Sequence, residues 1–148
     1  MVLLESPYTR DEVTTKGHPW WHFILIFPIF FSDPQWNSYL HSLERQMRDR
    51  GSIPKDIWGS DDKYKIANEI ENIFRKEVWH KRFVFHPNDR FDIVSGYDYG
   101  DGTELEAMLS IECKYNIYLD VGHIEYLCET AGTFGDFIDY IVSTLDAR

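Results

Sequence analysis

The sequence predicts a mainly α-helical protein, and three observations support that prediction. Apolar residues recur at helical spacing in four stretches, which open at Pro34, near Asp61, near Gly102 and behind the loop at Gly132 to Gly135. Three of these begin beside an aspartate placed to cap a helix. A hydrophobic content of 43 %, with 16 % aromatics, over 148 residues suits one compact core and lies far from the composition of disordered chains. The expected organisation is an N-terminal extension over 1–58, made of an arm, an apolar extended segment and one helix, followed by a helical bundle over 59–148.

Residues 1–17 lack periodicity, contain Pro7 and Gly17, and read as a surface arm. Residues 19–31, PWWHFILIFPIFF, are the one strongly apolar run, well short of the roughly 20 residues a bilayer-spanning helix needs. Pro28 and the aromatic and β-branched content favour a buried strand or extended segment. The paired Trp20 and Trp21 also suit a membrane interface, but core packing is the preferred reading. SDPQW then starts a helix, with Asp33 as N-cap and Pro34 in the first helical position, where its missing N–H costs nothing. Trp36, Tyr39, Leu40, Leu43 and Met47 set its apolar face to about Arg50, and Gly51 stops it.

A turn-rich connection, GSIPKDIWGSDD, leads to a second helix capped by Asp61 or Asp62. Its face is Tyr64, Ile66, Ala67, Ile70, Ile73, Phe74 and Val78. RFVFHPNDRF reads as a loop or short strand ending in a Pro-Asn-Asp turn. Asp101 followed by Glu104 has the capping-box spacing and opens a helix from about Gly102 to Tyr115, with Leu105, Met108, Leu109 and Glu112 at helical intervals. A short segment to Cys128 and a closing helix with Phe137, Ile138, Ile141, Val142 and Leu145 complete the chain.

The net charge of -10 is unevenly placed: residues 1–88 carry 12 acidic and 12 basic side chains, residues 89–148 carry 13 and 3. Such a surface repels phosphate backbones and anionic lipid and speeds encounter with basic partners. Nucleic-acid binding by this half is therefore disfavoured, as is a membrane role. With Cys113 and Cys128 the only cysteines and no secretory leader apparent, the expectation is two reduced thiols in a cytoplasmic protein, Cys113 acting as a small buried hydrophobe. His18 and His22 flank Pro19, and His80 and His86 read as surface residues. No converging set of metal ligands or catalytic pair is discernible, so no enzyme activity, metal or cofactor is expected.

The order of elements from Asp61 to Leu145, two amphipathic helices joined by a long loop, a short third helix and a closing helix, resembles that of acyl carrier proteins. ELEAMLSIECKYNIYLD is similar to the carrier helix that follows the attachment site, and GTFGDFIDYI to the opening and ending of the carrier's last helix. Carriers present Asp-Ser-Leu at the attachment site, and the serine holds phosphopantetheine. Alignment on Tyr115 puts Asp101 at the serine and Gly100 at the preceding Asp. Thr103 lies two positions on, with a β-branched carbon that hinders transfer. In this the chain resembles divergent bacterial carrier-like proteins with an acidic residue at the site.

The resemblance implies a non-catalytic binding module without a prosthetic group, docking a basic surface, such as that of a biosynthetic enzyme, through an acidic helix. Asp98, Asp101, Glu104, Glu106 and Glu112 are its expected partner-binding residues. Charge at a helix N-terminus accounts for Asp101 and Glu104 on stability grounds alone but leaves Glu112 unexplained. Reversal of Glu106 and Glu112 to lysine is expected to abolish partner binding in a folded domain. The apolar run over 19–31 is expected to fill the groove where a carrier shelters its acyl chain. The alternative is a small acidic inhibitor or immunity protein that neutralises a basic toxin or nuclease, anchored by Tyr97, Tyr99, Tyr115 or Tyr118 among the acids. These tyrosines otherwise read as half-buried edges of the core.

Overall fold

In a computed structural model, which describes residues 34–79, 83–96 and 103–147, the chain is mainly helical. Pro34 opens α1 (Pro34–Arg48), and Leu43 and Met47 of the expected apolar face are fully buried. The helix ends two residues earlier than its spacing suggested, and Arg50 turns inward. The expected cap Asp33, the arm, the apolar run and the side chains of Trp36, Tyr39 and Leu40 lie outside the described residues.

A 3-10 turn (Lys55–Trp58) precedes α2 (Asp61–Phe74). The cap of α2 is Ser60 rather than either aspartate: its Oγ accepts a bond from the Lys63 N–H at 3.2 Å. Asp61 and Asp62 occupy the first turn, where negative charge complements the helix dipole. Ala67, Ile70 and Phe74 are buried, while Tyr64, Ile66 and Ile73 flank them on the core. The helix continues into a π-helical turn (Arg75–Trp79) whose Trp79 indole N–H donates to Val94 O at 2.9 Å.

Residues 83–90 fold as a largely buried loop, and a short helix follows, α3 (Phe91–Ser95), which the sequence pattern did not suggest. Among the described residues there is no strand, only an antiparallel bridge between Arg90 and Thr133. The loop is held by ions. Asp89, with no exposed surface, accepts two bonds from the Arg50 guanidinium, one of 2.8 Å to Oδ1, and a third from the His86 N–H at 2.7 Å. Glu71 accepts from Arg75 and from the Phe85 N–H, and Arg75 also donates to Phe83 O. His86, expected at the surface, is buried, and its Nδ1 accepts from the Asn88 N–H.

The loop also supplies acceptors to the last helix, α6 (Phe134–Asp146). Asp89 O and Pro87 O accept from the Phe134 and Gly135 N–H groups at 2.8 and 2.7 Å. Thr133 and Asp136 add a reciprocal capping box, so α6 begins inside the stretch expected to be a loop. The close approach needs glycine: a Cβ on Gly135 would stand 3.0 Å from Pro87 O, and one on Gly132 only 2.8 Å from the Leu127 side chain.

The resulting core is aromatic. Phe91 stacks on Phe137 at 4.4 Å, and Phe74 meets Phe91 and Phe134 edge-on. Against α2 pack both α6 and α4 (Thr103–Tyr115), which starts one residue later than expected. Asn116 at φ 52° ends α4, in a left-handed position that Asn tolerates well. Asp120 caps α5 (Val121–Glu129) through a 2.9 Å bond from the Gly122 N–H, and α6 closes the chain.

Candidate functional site

Helix α4 carries apolar residues at 105, 107, 108, 109 and 111. At about 100° per residue, Leu105 and Leu109 form one stripe, with Ala107 and Ile111 on nearly the opposite side. Only the second stripe is core: Ala107 and Ile111 are fully buried, whereas Leu105 and Leu109 are 63 % and 58 % exposed. The spacing of Leu105, Met108 and Leu109 marks a helix without saying which side meets the core, and the structure turns Leu105 and Leu109 away from it. A helix with apolar stripes on opposite sides covers the core with one and offers the other.

The offered stripe lines a groove of about 310 Å³ between α4 and α5. Leu105, Met108 and Leu109 form one wall, Val121 and Ile124 the other, and Leu119 and Ser95 close it. Val121 is 62 % exposed, so both walls open to solvent. Among the described residues, Glu104, Glu112 and Glu125 are the charged side chains that line it, and no Lys or Arg does.

Each carboxylate is placed differently. Glu106 is exposed on the flank of α4 about 100° from Leu105. Glu104 is half-buried, its Oε2 screened from solvent and without a hydrogen-bond partner among the described residues. Glu112 accepts the Leu119 N–H at 2.7 Å and so orders the turn from α4 into α5. That bond gives Glu112 the structural reason the sequence left unexplained, and its reversal to lysine disturbs the fold as well as the surface charge. Asp98 and Asp101 lie outside the described residues, as do Tyr97 and Tyr99. Thr103 is the first residue of α4 and half-buried.

The other groups singled out by the sequence divide between fold and surface. Tyr115 is half-buried as expected and donates to Glu69 at 2.8 Å; this bond is the main cause of the lowered Glu69 pKa, while burial first, and then the carboxylate, raise that of Tyr115. Tyr118 is 79 % exposed, contrary to the expected half-buried position. Cys128 is buried and Cys113 exposed, so the small buried thiol is the other one, and both are unbridged. Burial raises the pKa of Glu71 and lowers that of His86, and both groups are engaged in holding the 83–90 loop.

Among the described residues no cluster of His, Cys, Asp or Glu is suited to hold a metal ion, and no helix is long and apolar enough to cross a membrane. Comparison with protein-family models, curated proteins and solved structures gives no match to the chain. The functional reading therefore rests on the residues themselves. Leu105, Leu109, Val121 and Glu125 are the site residues that sequence reasoning missed. The signal was present for α4, in two i,i+4 apolar pairs two positions apart, which no single amphipathic face accommodates.

Proposed function

We propose that the chain is a non-catalytic acidic binding module, with the helix order of an acyl carrier protein but no prosthetic-group site, that docks a basic protein surface through α4 and the rim of its groove. The observation that carries this reading is the outward stripe of α4: Leu105 and Leu109 in solvent, bordered by Glu104, Glu106 and Glu112. Exposed apolar side chains beside like charges favour an apolar contact ringed by Lys or Arg. The order α2, long connection, α4, short α5 and closing α6 is compatible with the carrier resemblance. Glu71, His86, Tyr115 and Glu69, whose pKa values are shifted by burial and hydrogen bonding, are engaged in contacts that hold the fold.

Affinity capture from the native cell at low salt, with the intact mass of the bait read alongside, tests the proposal. The expected result is an acyl-handling or other biosynthetic enzyme as prey on an unmodified bait, and its loss with Glu106→Lys and Glu125→Lys at unchanged melting temperature. These two are chosen because both are exposed, whereas Glu112 bonds Leu119. A phosphopantetheine-sized mass increment, or capture indifferent to the reversals, contradicts it.

Tyr118 and Tyr126, 79 % and 58 % exposed, favour a second reading as an inhibitor of a basic toxin, since exposed aromatics near Asp120, Glu125 and Glu129 suit a tight interface. Salt separates the two. An inhibitor holds a single basic nuclease or toxin through a high-salt wash, and Tyr118→Ala loosens it; a carrier-like module releases its partner.

A further inference from the structure

The α4–α5 groove has a shape and a charge that together narrow what occupies it. Resting on the docking function above, we propose that the groove receives an amphipathic α-helix of the partner protein, its apolar stripe between the two walls and its Lys or Arg residues against the rim. The walls come from two helices, Leu105, Met108 and Leu109 on one side and Val121 and Ile124 on the other, joined by Leu119 at the closed end. A helix entering such a groove inserts side chains spaced i, i+3, i+4 and i+7. The 13 residues of α4 extend about 20 Å, which matches some four turns of an incoming helix.

Charge decides among the occupants an apolar groove accepts. Glu104, Glu112 and Glu125 line it, Glu106 stands on its flank, and among the described residues no cation lines it. A fatty acid brings its own carboxylate to that rim, and Leu105, Leu109 and Val121 are too exposed to enclose an acyl chain. A second copy in a two-fold contact sets these glutamates against their counterparts. The chain's own apolar stretch over 19–31 contains no Lys or Arg and leaves the rim uncompensated. A helix with a leucine-type stripe and basic flanks satisfies both parts of the groove at once.

The test uses the full chain and a fluorescein-labelled synthetic peptide of about 18 residues, with leucines at i, i+3, i+4 and i+7 and lysines on both flanks. Anisotropy is followed at low and at physiological salt, beside a scrambled peptide of the same composition and a glutamate-flanked one. The expected result is saturable binding of the ordered basic peptide, weaker at higher salt, and lost at least about tenfold, or about 1.4 kcal/mol, in Leu109→Asn and in Val121→Asn. Both positions face solvent, so both variants are expected to melt with the parent.

Equal binding of the scrambled peptide overturns the proposal. So does failure of the full chain to bind the ordered peptide, the result that a covering segment of the chain itself produces, and so does saturable binding of dodecanoate with the peptide excluded. Binding that both groove variants leave unchanged overturns it too. In that case, partner capture still weakened by Glu106→Lys keeps the acidic-helix function and removes only the groove helix, whereas capture weakened by neither removes both.

Discussion

The loop Phe83–Arg90 and the α4–α5 groove both set carboxylates beside apolar side chains, and they use them in opposite ways. Around the loop, Asp89 and Glu71 are buried against Arg50 and Arg75, and the Pro87 and Asp89 carbonyls cap α6. In the groove, leucines stand in solvent, the glutamates around them have no lining cation among the described residues, and Glu112 makes a bond that organises the chain. Charge that the fold uses is paired and largely buried; on the proposed function, charge on the groove is left for a partner. The contrast separates the acids by role where their spacing in the sequence does not.

The largest effect belongs to the loop. Asp89→Ala leaves the buried Arg50 without its carboxylate counter-charge and releases the His86 N–H, and is expected to cost about 3–5 kcal/mol in denaturant unfolding. A loss below about 1 kcal/mol, the range of an exposed ion pair, would break the comparison by making the clamp no stronger than the surface. Next comes the junction the loop makes with α6. Thr133→Ala removes one half of the capping box and is expected to cost about 0.5–2 kcal/mol by the same measurement, with the Pro87 and Asp89 carbonyls still in place.

A pH titration sharpens the contrast further. Burial lowers the His86 pKa from its ordinary 6.5, so the unfolded chain binds the proton more readily. The stability that neutral His86 contributes is complete above pH 6.5 and is lost as pH falls through its folded-state pKa. Glu71 has the opposite sign: its pKa is raised above 4.5 by burial, so its contribution declines as pH rises from there through the folded value. The stability difference between the parent and His86→Gln is therefore expected to shift against the parent as pH falls below 6.5. A pH-independent difference contradicts the burial of the imidazole.

The helices were legible because they are written locally. Pro34 at a first turn, the broad face of α2 and the apolar spacing from Phe137 to Leu145 are patterns of near neighbours, and they place α1, α2 and α6 within a few residues. The loop was not legible, because the burial of His86 and Asp89 depends on Arg50, 39 residues from Asp89, and on the α6 N-terminus. A Pro-Asn-Asp stretch looks like a surface turn until those partners are present. Cys113 was misplaced for a related reason: helical spacing identifies an apolar stripe, but which stripe meets the core is decided by where α2 and α6 lie. The acids of α4 were legible as charge, and their division between Glu112, which holds a turn, and Glu106, which faces water, was not.

The central claim is that the Leu105–Leu109 stripe serves binding rather than folding. Thermal melting of the full chain carrying Leu105→Asn and Leu109→Asn tests it most directly. Exposed positions contribute within about 0.5 kcal/mol each, so the account predicts a midpoint within a few degrees of the parent. A fall of ten degrees or more, on the scale expected for core side chains such as Ile111, would show that the stripe is covered within the chain and would contradict the account.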